Sequence, residues 1–150
     1  MSLAVLGRVE TVAGALLMAP VPVAAGFPSP SQDYFNGEVS LDSVLVKDKA
    51  ATFFLRVAGE SMEGAGISDG DVVIVDRSVA PRHGDVVVAV IDGELTLKRL
   101  ITTARGVFLQ ADNPAFPPLH VGSEADFTVW GVATVCLHQL GNQKVLRHAG

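Results

Sequence analysis

Beyond about residue 38, short apolar runs alternate with turn residues. Thr52–Ala58, Val72–Asp76, Val86–Ile91, Glu94–Leu100, Val107–Ala111 and Phe127–Leu137 each read as a strand. Ser68-Asp69-Gly70-Asp71 is the turn signal before the second run. Asp92-Gly93 separates the third run from the fourth, and Asp-Gly between two β-rich runs is the strongest short-range hairpin signal. A 3.6-residue apolar period is not sustained anywhere in this part of the chain. The pattern predicts a mainly β domain of curled antiparallel sheets, barrel-like in outline. Phe53, Phe54, Leu55, Val57 and Val86–Val90 are its expected core. Trp130 is expected either in that core or at a dimer interface.

The first third is unlike the rest. Residues 1–32 carry only two charges, Arg8 and Glu10, and contain Pro20, Pro22, Pro28 and Pro30. Proline fixes φ and removes a backbone donor, so an extended segment is expected. At most a short helix around Val12–Met18 precedes it. The expected division is a flexible arm over 1–38, a β-rich domain over 39–140 and a frayed tail over 141–150. A rival reading takes Val12–Met18 as the apolar stretch of a secretory signal, cut between Ala25 and Gly26 in a secreted β domain. Glu10 offsets the charge of Arg8, and two prolines interrupt the segment, which counts against it.

Composition narrows the picture. The 150 residues are 49% hydrophobic and 18% charged, enough apolar surface to form a core. Valine supplies 23 residues and aromatics only 6%, which favours sheets over a helical bundle. A formal net charge of −5 argues against strong direct binding to nucleic acid. The single cysteine, Cys136, excludes an internal disulfide framework and is expected as an apolar filler. No apolar run reaches the roughly 18 residues that a membrane span requires. Asp69, Asp71, Asp85 and Asp92 stand beside glycines and read as turn formers; no spacing suggests a metal or other cofactor.

One segment carries candidate chemistry. Gly59-Glu60-Ser61-Met62 follows a predicted strand and precedes Gly64-Ala65-Gly66. A serine at a strand end, beside flexible backbone, can bring its hydroxyl and nearby N–H groups to one point, as a nucleophile with an oxyanion hole requires. The same placement suits an ordinary turn serine. The serine would need a base. His83, His120, His138 and His148 are available for a triad, but all sit in turns, loops, a strand end or the tail. Lys98 is the better candidate. Alternation in Leu95–Leu100 puts Thr96, Lys98 and Leu100 on one face of a strand. Burial there would favour the neutral amine, which can accept a serine proton. Snorkelling of Lys98 to solvent is the alternative. Arg99 cannot serve, because guanidinium stays protonated.

These segments, in order, resemble one family. The anchors are Gly26-Phe27-Pro28-Ser29-Pro30, Gly59-Glu60-Ser61-Met62, Gly66-Ile67-Ser68-Asp69-Gly70-Asp71, Ile74-Val75-Asp76, His83-Gly84-Asp85 and Leu97-Lys98-Arg99-Leu100. The chain resembles the UmuD group of LexA-type self-cleaving serine peptidases, which share a β fold with bacterial signal peptidases. The resemblance runs from about Gly26 to Leu140. It implies that Ser61 is the nucleophile, Lys98 the general base and Ala25–Gly26 the scissile bond, with backbone N–H groups of Ser61 and Met62 at the oxyanion. It further implies self-cleavage stimulated by the RecA filament on single-stranded DNA in the SOS response. The shortened product would form a homodimer and join a Y-family polymerase of the UmuC type in translesion synthesis. A non-catalytic polymerase- or RecA-binding module of the same fold is the alternative function. Ala25 departs from the cysteine usual at that position in the UmuD group. LexA-type repressors carry a helix-turn-helix domain, and the segment before Gly26 lacks its apolar helical pattern, so a sequence-specific repressor is not expected. About thirteen residues separate Gly26 from the β domain and span roughly 43–47 Å when extended, enough to reach Ser61 of the same or another subunit.

Overall fold

The computed structural model describes residues 2–8, 16–18, 37–117, 119–121, 127–142 and 146. Its strands in chain order are β1 (Ser2–Arg8), β2 (Leu16–Met18), β3 (Gly37–Val39), β4 (Thr52–Ala58), β5 (Val72–Asp76), β6 (Val86–Ile91), β7 (Glu94–Thr103), β8 (Gly106–Gln110), β9 (Leu119–Val121) and β10 (Phe127–Leu137). Four of the six expected strands have the expected bounds. β7 runs on to Thr103, and β8 starts and ends one residue earlier than read.

Eight strands form one sheet in the order β1-β4-β5-β10-β6-β7-β8-β9, all pairs antiparallel. β1 also lies against β7, so the sheet curls back on itself. The curl has a local cause in β10. Its first half pairs with β6 and its second half with β5, with irregularities between Val129 and Gly131 and between Ala133 and Val135. Bulges bend a strand and increase its twist. Gly131 permits the bend, since a Cβ there would stand 2.6 Å from Val75 Cγ1.

The β6–β7 hairpin turns where Asp-Gly predicts. Asp92 and Gly93 have φ of 50° and 80°, the left-handed pair that a two-residue hairpin turn matching strand twist demands. Alternation then sorts side chains to two apolar clusters. Val88 and Leu97 join Leu55, Val57, Met62, Ile67, Val73 and Val75 in one. Val87 and Ala89 join Leu100, Leu109 and Val132 in the other. β5 is buried along its whole length, as a strand covered on both faces should be. Trp130 is half-buried against the first cluster, edge-on to Phe53 at 5.1 Å, with the Arg77 guanidinium 4.5 Å from its ring centre.

Three expectations change. Ser2–Arg8, read as part of an arm, pairs with β4 along the sheet edge. The short helix around Val12–Met18 is not found in its described part, where Leu16–Met18 instead pairs with Gly37–Val39. Three residues are too few to reveal a strand by alternation. Leu146, read as frayed tail, is half-buried, donates its N–H to Gln139 Oε1 at 3.2 Å and accepts from Arg56 Nη2. A helix of one turn, α1 (Leu41–Leu45), is capped by Ser40. No helix among the described residues is long and apolar enough to cross a membrane.

Candidate active site

Ser61 stands two residues past Gly59, whose φ of 101° turns the chain out of β4. The next residues, Glu63–Ala65, make a 3-10 turn that ends on left-handed Gly66. The Met62 carbonyl accepts from Ala65 and Ile67 N–H groups. The turn before β5 closes the loop from below. Asp69 Oδ1 accepts from Gly59 N–H at 2.8 Å, and Val57 exchanges backbone bonds with Gly70 and Asp71. Asp71 is itself buried. Its carboxylate accepts from Ser68 N–H at 2.8 Å and from the Cys136 thiol at 3.3 Å, and contacts His138 Nδ1 at 2.6 Å. Asp69 therefore ties the turn before β5 to the start of the serine loop, and Asp71 ties that turn to β10 and His138.

Ser61 is 1% exposed, and its Oγ has no hydrogen-bond partner among the described residues. Buried hydroxyls are nearly always satisfied, because leaving one unpaired costs roughly 1–3 kcal/mol. A structural turn serine would point its hydroxyl at the backbone. This one keeps its lone pairs and proton uncommitted.

Lys98 lies in β7 opposite Val87, on the face shared with Thr96 and Leu100. It is half-buried, and desolvation lowers its pKa from the ordinary lysine value. Such a shift raises the share of neutral amine at a given pH. No hydrogen bond joins it to Ser61 Oγ in this structure. The next residue, Arg99, is held differently. Its Nε and Nη2 donate to Asp112 Oδ2 at 2.8 and 2.5 Å, and its Nη1 donates to the Gly84 carbonyl at 2.7 Å. The Asp112 hydrogen bond raises the Arg99 pKa still further.

Two residues to which the sequence assigned no role link these parts. Asp112 N–H points to Met62 Sδ at 3.4 Å, and its carbonyl accepts from Gly64 N–H at 2.6 Å. Asn113 Nδ2 donates to the Glu60 carbonyl at 2.9 Å. In the sequence, Asp112-Asn113-Pro114 carries only a turn signal, and its partners are some fifty residues away. A pocket of about 440 Å³ opens beside this junction, lined by Gly64, Asp112, Asn113 and Phe116 among others.

Of the four histidines, His83 accepts from Thr102 N–H through Nδ1, and His138 contacts Asp71. The side chains of His120 and His148 lie outside the described residues, as do Ala25 and Gly26. Cys136 is half-buried, and its thiol is pushed up to about 12 by desolvation and then by the Asp71 hydrogen bond.

Comparison with known proteins adds to this geometry. The Peptidase S24-like family matches residues 17–134. Protein ImpA of Salmonella typhimurium is 45% identical over 116 residues, covering 77% of this chain and 78% of that protein. Protein MucA of Escherichia coli is 43% identical over 113 residues, 75% of this chain and 77% of that protein. LexA repressor 1 of Xanthomonas campestris pv. campestris is 41% identical over 125 residues, 79% of this chain but 59% of the repressor. A β sheet of this topology, the uncommitted serine beside it and a match across most of the chain converge: the protein belongs to the Peptidase S24-like family.

Proposed function

We propose that the chain is a self-cleaving serine peptidase of the SOS response, which removes its own first 25 residues by cutting Ala25–Gly26. The carrying observation is Ser61, a buried hydroxyl without a partner, on a loop bonded to the residue that grips the strand of desolvated Lys98. In the reaction, neutral Lys98 Nζ takes the Ser61 proton as Oγ attacks the Ala25 carbonyl carbon. Backbone N–H groups of Ser61 and Met62 stabilise the oxyanion. The Ala25–Gly26 bond breaks, Lys98 returns the proton to the Gly26 amine, and water hydrolyses the acyl-serine. Lys98 and Ser61 are brought into hydrogen-bond contact by docking of the cleavage segment. Apo catalytic contacts are commonly long and tighten in the reactive complex.

In this reading the trigger is the RecA filament on single-stranded DNA. The shortened chain acts in the cytoplasm as a homodimer and an accessory subunit of a UmuC-type polymerase. Similarity to proteins ImpA and MucA over most of their length supports an accessory subunit over a repressor. The family match begins at residue 17 and so takes in the last nine of the 25 residues that a signal peptide would discard, which favours the cytoplasm.

Intact mass against time on the purified full chain tests the proposal, with and without RecA–single-stranded DNA–nucleotide filament. Wild type is expected to lose residues 1–25, faster with filament, while Ser61→Ala and Lys98→Ala stay whole. An unchanged wild-type mass under both conditions would exclude self-cleavage and leave a non-catalytic binding module. Cleavage that survives Ser61→Ala would assign the cut to another group.

A further inference from the structure

We infer that Asp112 is a positioning residue that sets the distance between the Ser61 loop and the Lys98 strand. The inference rests on the Ser61–Lys98 chemistry proposed above and concerns what makes that pair productive.

Asp112 faces three ways at once. Its carboxylate is fixed by two N–H donors of Arg99, the residue after Lys98. Its backbone N–H meets Met62, the residue after Ser61, and its carbonyl meets Gly64. Asn113 adds Glu60, the residue before Ser61. The serine is thus gripped at positions 60, 62 and 64 by two consecutive residues, one of which is anchored to the lysine strand. Arg99 is pinned in turn by the Gly84 carbonyl, and Gly84 and Leu100 share a backbone bond of 2.7 Å. The strand end of this link is therefore braced on both sides.

The loop end is equally specific. A Cβ on Gly64 would stand 2.5 Å from the Asp112 carbonyl oxygen, so only glycine allows this approach. Arg99 and Asp112 side chains keep 30% and 17% of their exposure. The pair is partly buried, and ion pairs that keep some exposure contribute about 1 kcal/mol or less to global stability. Their geometry can still matter, because displacing a reacting group by about 1 Å can lower a rate on the order of 100-fold.

The test is the self-cleavage rate of full-length Asp112→Asn across about pH 6 to 10, beside wild type, Ser61→Ala, Asp112→Glu, Arg99→Gln and the double variant. Asparagine leaves the backbone contacts to Met62 and Gly64 in place and removes only the charged anchor on Arg99. The expected result is a plateau rate at high pH reduced about 10- to 100-fold. The inflection should stay within about 0.5 pH unit of wild type, and the melting temperature within about 3 °C. Arg99→Gln should show the same loss and the double variant no more than either alone, since both break one link. Asp112→Glu, which can still reach Arg99, should recover part of the rate. A plateau within about twofold of wild type, or losses that multiply in the double variant, would overturn the positioning role. A rate loss that disappears once each variant is assayed well below its melting temperature would also overturn it. A wild type that fails to cleave, or that matches Ser61→Ala, strikes the proposed function and this role together. A cleaving wild type with an equally fast Asp112→Asn strikes the positioning role alone.

Discussion

Asp71 offers the sharpest test of how the serine loop is held. It is 3% exposed, and its carboxylate serves three donors: Ser68 N–H, the Cys136 thiol and His138. Asp71→Ala would strip all three. A hydrogen bond to a charged acceptor contributes roughly 1.5–3 kcal/mol, and the Ser68 N–H has no other acceptor within its own turn. The His138 contact is discounted to about 1 kcal/mol, because half of that side chain faces water. The thiol is a weak donor and adds little. The expected loss is about 3 kcal/mol, which for a chain of this size lowers the melting temperature by about 6–12 °C. Asp71→Asn keeps one acceptor for Ser68 and should lose about half as much. His138→Ala should lose only about 1 kcal/mol. Differential scanning calorimetry and urea titration at neutral pH measure all three. A drop below about 2 °C for Asp71→Ala would refute the reasoning. So would a His138→Ala loss equal to it, because the carboxylate would then matter through the exposed pair and not through the turn.

Other outcomes follow from the same geometry. Burial lowers the Lys98 pKa, so the neutral amine becomes the majority form below the usual lysine range. The self-cleavage rate should therefore climb from neutral to basic pH and level off before that range; a flat or falling profile would remove Lys98 as base. With its thiol pushed up to about 12, Cys136 should be about a thousandfold poorer in thiolate at pH 8 than an ordinary cysteine. Iodoacetamide should label it slowly in the native chain and readily in urea, and fast native labelling would contradict its link to Asp71. Gly131→Ala should destabilise by about 1–3 kcal/mol, because the new methyl meets Val75. Unchanged calorimetry would show that the β10 bend relaxes freely.

How much was legible in the sequence depended on range. β4, β5, β6 and β10 were readable to the residue because each is an apolar run closed by turn chemistry. Asp92-Gly93 fixed a hairpin locally. Ser61 and Lys98 stood out by residue type and context; the structure buries the first and half-buries the second. β1 was missed because an edge strand of small apolar residues looks the same as an apolar arm. β2, β3 and β9 are three residues each, below the length at which alternation is visible. Asp112 was missed for another reason. Its meaning lies in meeting Met62 and Gly64, some fifty residues away, while bonded to Arg99, and no local pattern encodes a meeting between segments so far apart.

The order of strands also bears on when the peptidase can come into being. Ser61 lies between β4 and β5, while Lys98 lies in β7, and among the described strands the hydrogen-bonded ladders of these two halves are joined by β10, with the contact of β1 on β7 and the Asp112 link added to it. β10 is the last of the described strands. During synthesis each half can form its local hairpins early, but the strand that zips them together is made after the other described strands. Long-range pairings of this kind form late. The ladder that joins the Ser61 side of the sheet to the Lys98 side is thus the last of these pairings to close, so the two sides are fixed relative to each other late in folding.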